Sequence, residues 1–343
     1  MTTITVLVTC AGGGLSAQFI RLLKAGKRHA VRVVAVDIAH GAVARYFADA
    51  FETVPPGTDA SYPDAMMQIC RKHDVGLVFP CSDEEVLALA PHKAKFLQAG
   101  VTLACNDPAV NAIITDKIAT YGKLKTLGVP MPLWRVATNA TELTAALDDV
   151  LAATGKAAVK NPRGRGGRGI FVIDSALTKV EQRPGSHELH MDRTAFLGGY
   201  ATTLLKDQPI LVMERLVDPV CDLDVLAWKG EAVIMVPRRR HNSTAPNDGH
   251  VLFQSPELES IGRTIVSALN MSWLFDIDFM MNSRQEPIVL EVNPRASGSV
   301  SVGMIAGVPL MDDLISLVAG EQPMRGEIPY GRRIFAFNAL SVN

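Results

Sequence analysis

The sequence has no CxxC pair, no internal repeat, no apolar run long enough to span a bilayer and no excess of either charge. Each absence removes a class of protein. With 34 Lys and Arg against 35 Asp and Glu, the chain offers no broad attraction to nucleic acid or to an anionic membrane. Its five cysteines (Cys10, Cys70, Cys81, Cys105 and Cys221) are odd in number and scattered, which argues against a disulfide framework and for a reducing compartment. They read as small buried hydrophobes. The opening MTTITVLVTC lacks a basic flank and a small-residue cleavage site, so it reads as a first strand and not as a signal peptide. These features place the protein in the cytoplasm. No Ser or Cys stands out with a base partner for hydrolysis, and no GK[ST] sequence supports a Walker-type loop.

What is present is ordinary globular sequence, 48% apolar and 20% charged, in a chain of 343 residues. That length exceeds what one hydrophobic core usually serves, so two or three domains are expected. Residues 4–9 form an apolar run, Gly12, Gly13 and Gly14 follow, and Leu15, Phe19, Leu22 and Leu23 recur at helical spacing. A second buried run, 31–36, ends at Asp37. Apolar runs at 75–79 and 101–104 each follow an amphipathic helix, around 64–72 and 84–98. Strand–helix alternation of this kind predicts a parallel sheet covered on both faces.

Beyond residue 106 the pattern changes. Residues 107–129 read as two helices, with Asp116-Lys117 opening the second and Pro130 and Pro132 stopping it. Strands are predicted at 134–137, 157–160, 170–173 and 210–213, a helix at 141–153, and loops at 162–169 and 174–190. Residues 223–228 and 232–236 read as strands paired around Lys229-Gly230. A helix over 256–271 precedes strands 275–281 and 288–292, joined by a polar turn at 282–287. Helices around 302–305 and 310–318 close the chain. The fold class is therefore α/β followed by α+β, with divisions placed at 1–108, 109–214 and 215–343.

Gly12, Gly14 and Ala17 fit G-x-G-x-x-G/A after a strand, and Asp37 ends the next one, as in a dinucleotide-binding turn. An NAD-dependent oxidoreductase is thus one reading. Against it, only about a hundred residues of α/β pattern follow, whereas a dinucleotide fold needs two mononucleotide halves. A tight turn with close helix–strand packing serves equally well.

The chemistry concentrates elsewhere. Glu291 and Asn293 lie two apart on one strand and share a face, and Asp278 can meet them from the partner strand. Two carboxylates and an amide oxygen are hard ligands suited to Mg²⁺ shared with phosphate. Arg295, one alternation on, supplies a fixed cation. Lys160 ends a strand and leads into NPRGRGGRG, whose exposed N–H groups and arginines can close over a triphosphate. Lys117 opens a helix. Arg238-Arg239-Arg240 is either a solvated run or a clamp for a carboxylate, with Arg240 the favoured residue. His187 and His190 are three apart in a predicted loop, which does not fit a zinc helix. Trp134, Trp228 and Trp273 read as core.

In order and spacing these elements resemble the ATP-grasp superfamily, in particular its carbamoyl-phosphate-synthetase-like branch. EVNPRASGS (291–299) resembles the metal motif, TDK (115–117) and AAVKNPRGRGGRGI (157–170) the two lysines with a covering loop, and LVMERL (211–216) the hinge beside adenine. VDI (36–38), RYFADAFETVPP (45–56) and FPCSDEE (79–85) fall in the family's order too. The resemblance spans residues 4–320. It implies an ATP-grasp fold behind a Rossmann-like N-terminal domain that binds no dinucleotide. It also implies ATP and Mg²⁺ (or Mn²⁺) as cofactors, and small-molecule carboxylate and amine substrates joined through an acyl-phosphate. No nucleic-acid or membrane partner is implied, and homodimers are frequent in the family. Lys117, Lys160, Arg165, Gly166 and Gly167 would hold phosphates, and Glu214 and Leu216 would flank adenine through backbone groups. Asp278, Glu291 and Asn293 would hold the metal, while Arg295, Arg240 and Asn293 would act on the reacting groups. Val220 stands where the family usually has a ribose-binding glutamate, so Asp222 or Asp218 is expected to replace it. A non-catalytic nucleotide-binding module is the remaining alternative, and the joint presence of both lysines with Glu291 and Asn293 argues against it.

Overall fold

A computed structural model describes residues 3–164, 169–182, 187–206 and 208–337. Three sheets follow one another along the chain. The first is wholly parallel and contains β1 (Thr3–Val8), β2 (Ala30–Asp37), β3 (Ala50–Thr53), β4 (Leu77–Phe79) and β5 (Thr102–Leu103), in the order β3-β2-β1-β4-β5. Both faces are buried, as continuous apolar strands require. Val6, Val8, Val33 and Ala35 pack with Phe19, Ile20 and Leu23 of the helix Ser16–Lys24. Leu7, Val34 and Val36 face the helix Tyr62–His73 through Met66 and Met67. The helix expected over 84–98 is interrupted: Pro91 sits in a single 3₁₀ turn, Ala90–His92, between Asp83–Leu89 and Lys93–Gln98. Edge strand β3, only four residues and half-buried, lacks the apolar run that marks its neighbours.

The second sheet contains β6 (Trp134–Ala137), β7 (Lys156–Lys160), β8 (Phe171–Asp174), β9 (Glu181–Gln182), β10 (Leu189–Met191) and β11 (Ile210–Glu214), in the order β6-β11-β7-β8-β10-β9. The helix Ala140–Thr154, capped by Asn139 and ended by Gly155 at φ +75°, lays Leu143, Leu147 and Val150 on it. The loop expected at 174–190 is incorrect in part, because β9 and β10 lie there. They are two and three residues long, too short for alternation to register, and β10 gains its ladder from β8.

The third sheet contains β12 (Val217–Trp228), β13 (Glu231–Arg240), β14 (Gly249–Leu252), β15 (Trp273–Met281), β16 (Pro287–Asn293) and β17 (Arg333–Phe335), antiparallel throughout, in the order β16-β15-β12-β13-β14-β17. Leu223, Val225, Ile277 and Phe279 face the helix Pro256–Ala268. The opposite face divides. At one end Leu226, Val236, Leu252 and Leu274 join Val6, Val8, Phe19 and Leu23 of the first sheet, with Leu310 and Leu314 of the helix Leu310–Val318, in one core. At the other end it is polar. No helix among the described residues is long and apolar enough to cross a membrane.

Candidate functional site

The polar end follows directly from strand alternation. Asp222 and Asp224 on β12, Arg238 and Arg240 on β13, Asp276 and Asp278 on β15, and Glu291 and Asn293 on β16 occupy alternate positions and so share one face. The register makes rows of them: Asp222 stands opposite both Arg238 and Asp278, Asp278 opposite Glu291, and Asp276 opposite both Asp224 and Asn293. Asp278, Glu291 and Asn293 are thus brought together as expected.

Lys117 arrives from outside the sheet. Asp116 caps the helix Lys117–Thr126 by accepting from the N–H groups of Ile118 (3.0 Å) and Ala119 (3.2 Å). That fixes Lys117 at the first helical position, where Nζ lies 2.8 Å from Glu291 Oε2 and donates to Gly164 O at 2.6 Å. Lys160, at the end of β7, is 4% exposed. Burial, and then the neighbouring charge of Lys117, push its amine down to about 7, with Glu291 acting in the other direction. Glu291 is raised by burial, but Lys117, Lys160 and Arg295 outweigh that and hold it below its ordinary range. Beside Lys160, Arg215 donates to Glu188 at 2.7 and 2.9 Å.

The acids on β15 behave differently. Burial, with Asp278 and Asp222 alongside, holds Asp276 well above the ordinary carboxylate range. Burial pushes Asp278 up to about 7 although Arg240 opposes it. Oδ1 of each has no hydrogen-bond partner among the described residues, with Arg238 Nη2 3.5 Å from that of Asp276. Ligand oxygens of Asp222, Asp276 and Asp278 lie within 4.8 Å of one another. Buried carboxylates that retain protons and leave oxygens unbonded are what a hard divalent cation would relieve. The donor set therefore fits Mg²⁺.

Several expectations change. Asp222 does not suit a ribose contact: it is 1% exposed, and its oxygens accept from Arg238 (3.3 Å) and Arg240 (3.0 Å). Those two arginines hold it well below the usual range against burial. Arg240 lies in the site, its Nε and Nη2 bonded to Asp222 and its Nη2 also 3.2 Å from Asp278 Oδ2. Arg295 Nη2 donates to Asn293 Oδ1 at 3.2 Å, and its Nε lies 3.2 Å from Asp83 of the first domain. Glu214 ends β11 and its carboxylate accepts from Leu133 N at 3.1 Å, while the Leu216 side chain is core. Arg165, Gly166 and Gly167 lie outside the described residues.

Sequence reasoning missed Arg238. Fully buried, it donates to both oxygens of Asp224 (2.7 and 2.9 Å), to Ser297 Oγ (2.7 Å) and to Ser299 Oγ (2.8 Å). It thereby fastens the segment after Arg295 to the sheet. His250 joins the same cluster, its Nε2 2.6 Å from Pro246 O; burial, then Arg238, keep the ring neutral, with its value pushed down to about 4. The signal was available, since Asp222-x-Asp224, Arg238-x-Arg240 and Asp276-x-Asp278 all carry the period of two already noted for Glu291 and Asn293.

At the glycine loop, Asp37 Oδ2 accepts from Gly12 N at 2.7 Å and its Oδ1 from Ala39 N at 2.8 Å. The carboxylate thus braces the turn. The five-strand order follows the 3-2-1-4-5-6 dinucleotide plan as far as its fifth strand and lacks the sixth.

Comparison with known proteins agrees with this architecture. Residues 206–339 match the family described as ATP-grasp in the biosynthetic pathway with Ter operon, and residues 6–104 match the PylC-like N-terminal domain. No curated protein matches the chain in sequence. Among solved structures, an N5-carboxyaminoimidazole synthetase from Staphylococcus aureus complexed with ADP is similar over 93% of this chain and 78% of its own, with TM-score 0.69 and 15% identity. The biotin carboxylase domain of a Hydrogenobacter thermophilus 2-oxoglutarate carboxylase, a dimer in complex with MgADP and bicarbonate, is similar over 96% and 73%, with TM-score 0.71 and 16% identity. An L-amino acid ligase from Bacillus licheniformis is similar over 96% and 78%, with TM-score 0.66 and 15% identity. At such identities the structural likeness speaks for the fold. Together with this fold, the two family matches identify residues 206–339 as an ATP-grasp segment and residues 6–104 as a PylC-like N-terminal domain.

Proposed function

We propose that this protein is an ATP- and Mg²⁺-dependent ligase that joins a small carboxylate to an amine through an acyl-phosphate. The observation that carries the reading is the convergence of Lys117 on Glu291 at 2.8 Å, next to buried Lys160 and the buried carboxylates of β15, whose Oδ1 atoms have no hydrogen-bond partner among the described residues. The solved structures named as a synthetase, a biotin carboxylase and an L-amino acid ligase, and the ADP or MgADP bound in two of the three, support it. ATP would lie between the second and third sheets, within the divisions 109–214 and 215–343, and residues 1–108 would face the substrates.

Asp278, with Asp276 beside it and Glu291 and Asn293 opposite on β16, would hold Mg²⁺, which supplies charge neutralisation for the phosphates when bound. Lys117 and Lys160 are placed to bind the phosphate oxygens, and the low amine value of Lys160 means that it gains a proton as the polyanion arrives. In the first step a substrate carboxylate oxygen bonds to the γ-phosphorus and the bond to the β-phosphate bridging oxygen breaks, releasing ADP. Arg295, pointing from Asn293 towards the first domain, neutralises the carboxylate and the developing acyl-phosphate. In the second step an amine nitrogen attacks the acyl carbon, phosphate leaves with the former carboxylate oxygen, and the nitrogen loses a proton. Positioning and charge neutralisation are what such transfer demands of a protein.

The mechanism predicts oxygen transfer. With ¹⁸O in the carboxylate, one label should appear in the released phosphate for each ADP formed. Turnover with unlabelled phosphate would refute the acyl-phosphate, and absence of any acid-dependent ADP release across a broad panel would refute the ligase.

A further inference from the structure

The ligase reading leaves the acid unidentified, and a cavity of about 230 Å³ bears on it. It lies where the first sheet meets the third, outside the carboxyl ends of β1 and β4, on either side of which the strand order runs in opposite directions. Such a switch point is where open α/β sheets take ligands. Its walls include Cys10, Gly14 and Cys81 from the first sheet's loops, Ala296 and Ser297 from the segment after Arg295, and Asn247 from the loop after β13. Arg295 is thus chain neighbour to one wall, reaches Asp83 beside another, and its charge is felt at Cys81.

Chemically the cavity is uniform: among the described residues no Asp, Glu, Lys, Arg or His lines it. Its two thiols are neutral. Burial, then Glu85, raise Cys10 far above the ordinary thiol value, and burial pushes Cys81 up to about 12. The Glu85 carboxylate is engaged by Thr9 Oγ1 (2.5 Å) and Ser82 N (3.1 Å). The amide side chain of Asn247 sits between two glycines: a methyl added at Gly14 would meet its Nδ2 at 3.6 Å, and one at Gly298 its Oδ1 at 3.8 Å. The volume is below the roughly 300 Å³ at which pockets for drug-sized ligands begin, and suits a single side chain.

Resting on the ligase reading, we infer that this cavity receives the uncharged side chain of the acid substrate while Arg295 holds its carboxylate, so that the enzyme activates small acids with neutral, largely apolar side chains. A charged side chain would be buried there without a partner, which is costly. Selection against it should reach at least about 100-fold in kcat/KM, the scale that pocket contacts deliver.

The test isolates the acid from the amine by using hydroxylamine as acceptor. Its nitrogen attacks the acyl carbon, phosphate leaves, and a hydroxamate forms. A panel of α-amino and α-hydroxy acids differing only in side chain, with ATP and Mg²⁺, should give hydroxamate with aliphatic or small aromatic members and at least 100-fold less with Asp-, Glu-, Lys- or Arg-like ones. Cys81→Phe should move the preference to smaller side chains, with the thermal shift by MgADP retained as the sign of a folded chain. Gly14→Ala should move it the same way in a chain that keeps the thiol. Hydroxamate formed equally well from charged acids, or a size preference unmoved in both variants, overturns the cavity assignment while leaving the ligase standing. Hydroxamate from no acid overturns both.

Discussion

Replacing Lys160 with methionine should make the nucleotide-free protein more stable while impairing nucleotide binding. The amine is 4% exposed and sits at about 7 against an ordinary 10.5, burial being the main cause and Lys117 the next. Holding it there corresponds to about 5 kcal/mol of preference for the neutral form. In the unfolded chain the lysine stays charged up to its ordinary value, so between about 7 and 10.5 the unfolded state binds the extra proton. Stability of the wild type therefore rises with pH across that window, and the cost is fully present below about 7. Methionine keeps the buried stem without the charge. In urea titrations without nucleotide, Lys160→Met should exceed wild type by about 4 kcal/mol at pH 7 as an upper figure, by slightly more at pH 6, and by much less at pH 9.5. Subtracting the two curves removes the other groups that titrate in this range. The same variant should lose MgADP affinity by at least about 30-fold, the roughly 2 kcal/mol of a lost buried charge contact. A variant no more stable than wild type at pH 6, or a difference that does not shrink with pH, refutes the reasoning.

Three further outcomes follow from the polar face. Glu291→Ala and Asn293→Ala should each lower ADP formation by at least about 100-fold, the scale of a lost electrostatic stabiliser, with an unchanged circular dichroism spectrum; full turnover in either would remove them from the metal site. Arg238→Met leaves Asp224 and Asp222 without their main buried partner and should cost about 3–5 kcal/mol by urea denaturation; a loss under about 1 kcal/mol would show the arginine to be dispensable. Mg²⁺ affinity should fall as pH drops below about 7, because Asp278 must lose its proton to coordinate; calorimetry in buffers of different ionisation enthalpy should register proton release, absent in Asp278→Asn, and pH-independent binding would contradict the assignment.

The chain announces some of this and withholds the rest for physical reasons. Glu291 and Asn293 share a strand, and Asp278 is one short turn away, so a local pattern sufficed. Asp222 was assigned to ribose because its neighbour across the sheet, β15, lies beyond two further strands and the helix Pro256–Ala268, a pairing that alternation on one strand does not reveal. Arg238 was passed over because an arginine within a charged run is usually solvated; only the arrival of Asp224, Ser297 and Ser299 from distant positions makes its burial tolerable. Strands β9 and β10 escaped because two or three residues carry no period. Cys70, Cys105 and Cys221 are buried as their reading as small hydrophobes requires, whereas Cys10 and Cys81 are only partly buried, and that both line one cavity depends on the packing of two sheets.

The apolar core common to the first and third sheets bears on how the molecule can be divided. Leu226, Val236, Leu252 and Leu274 are covered by residues of β1 and the helix Ser16–Lys24, some two hundred positions earlier in the chain. Cutting after the first sheet would expose both halves of that core, so neither fragment is a natural independent folding unit. The N-terminal segment is in this sense a structural subunit of the third sheet. Exchanging it for that of a relative would require the partner surface, including the helix Leu310–Val318, to be exchanged with it.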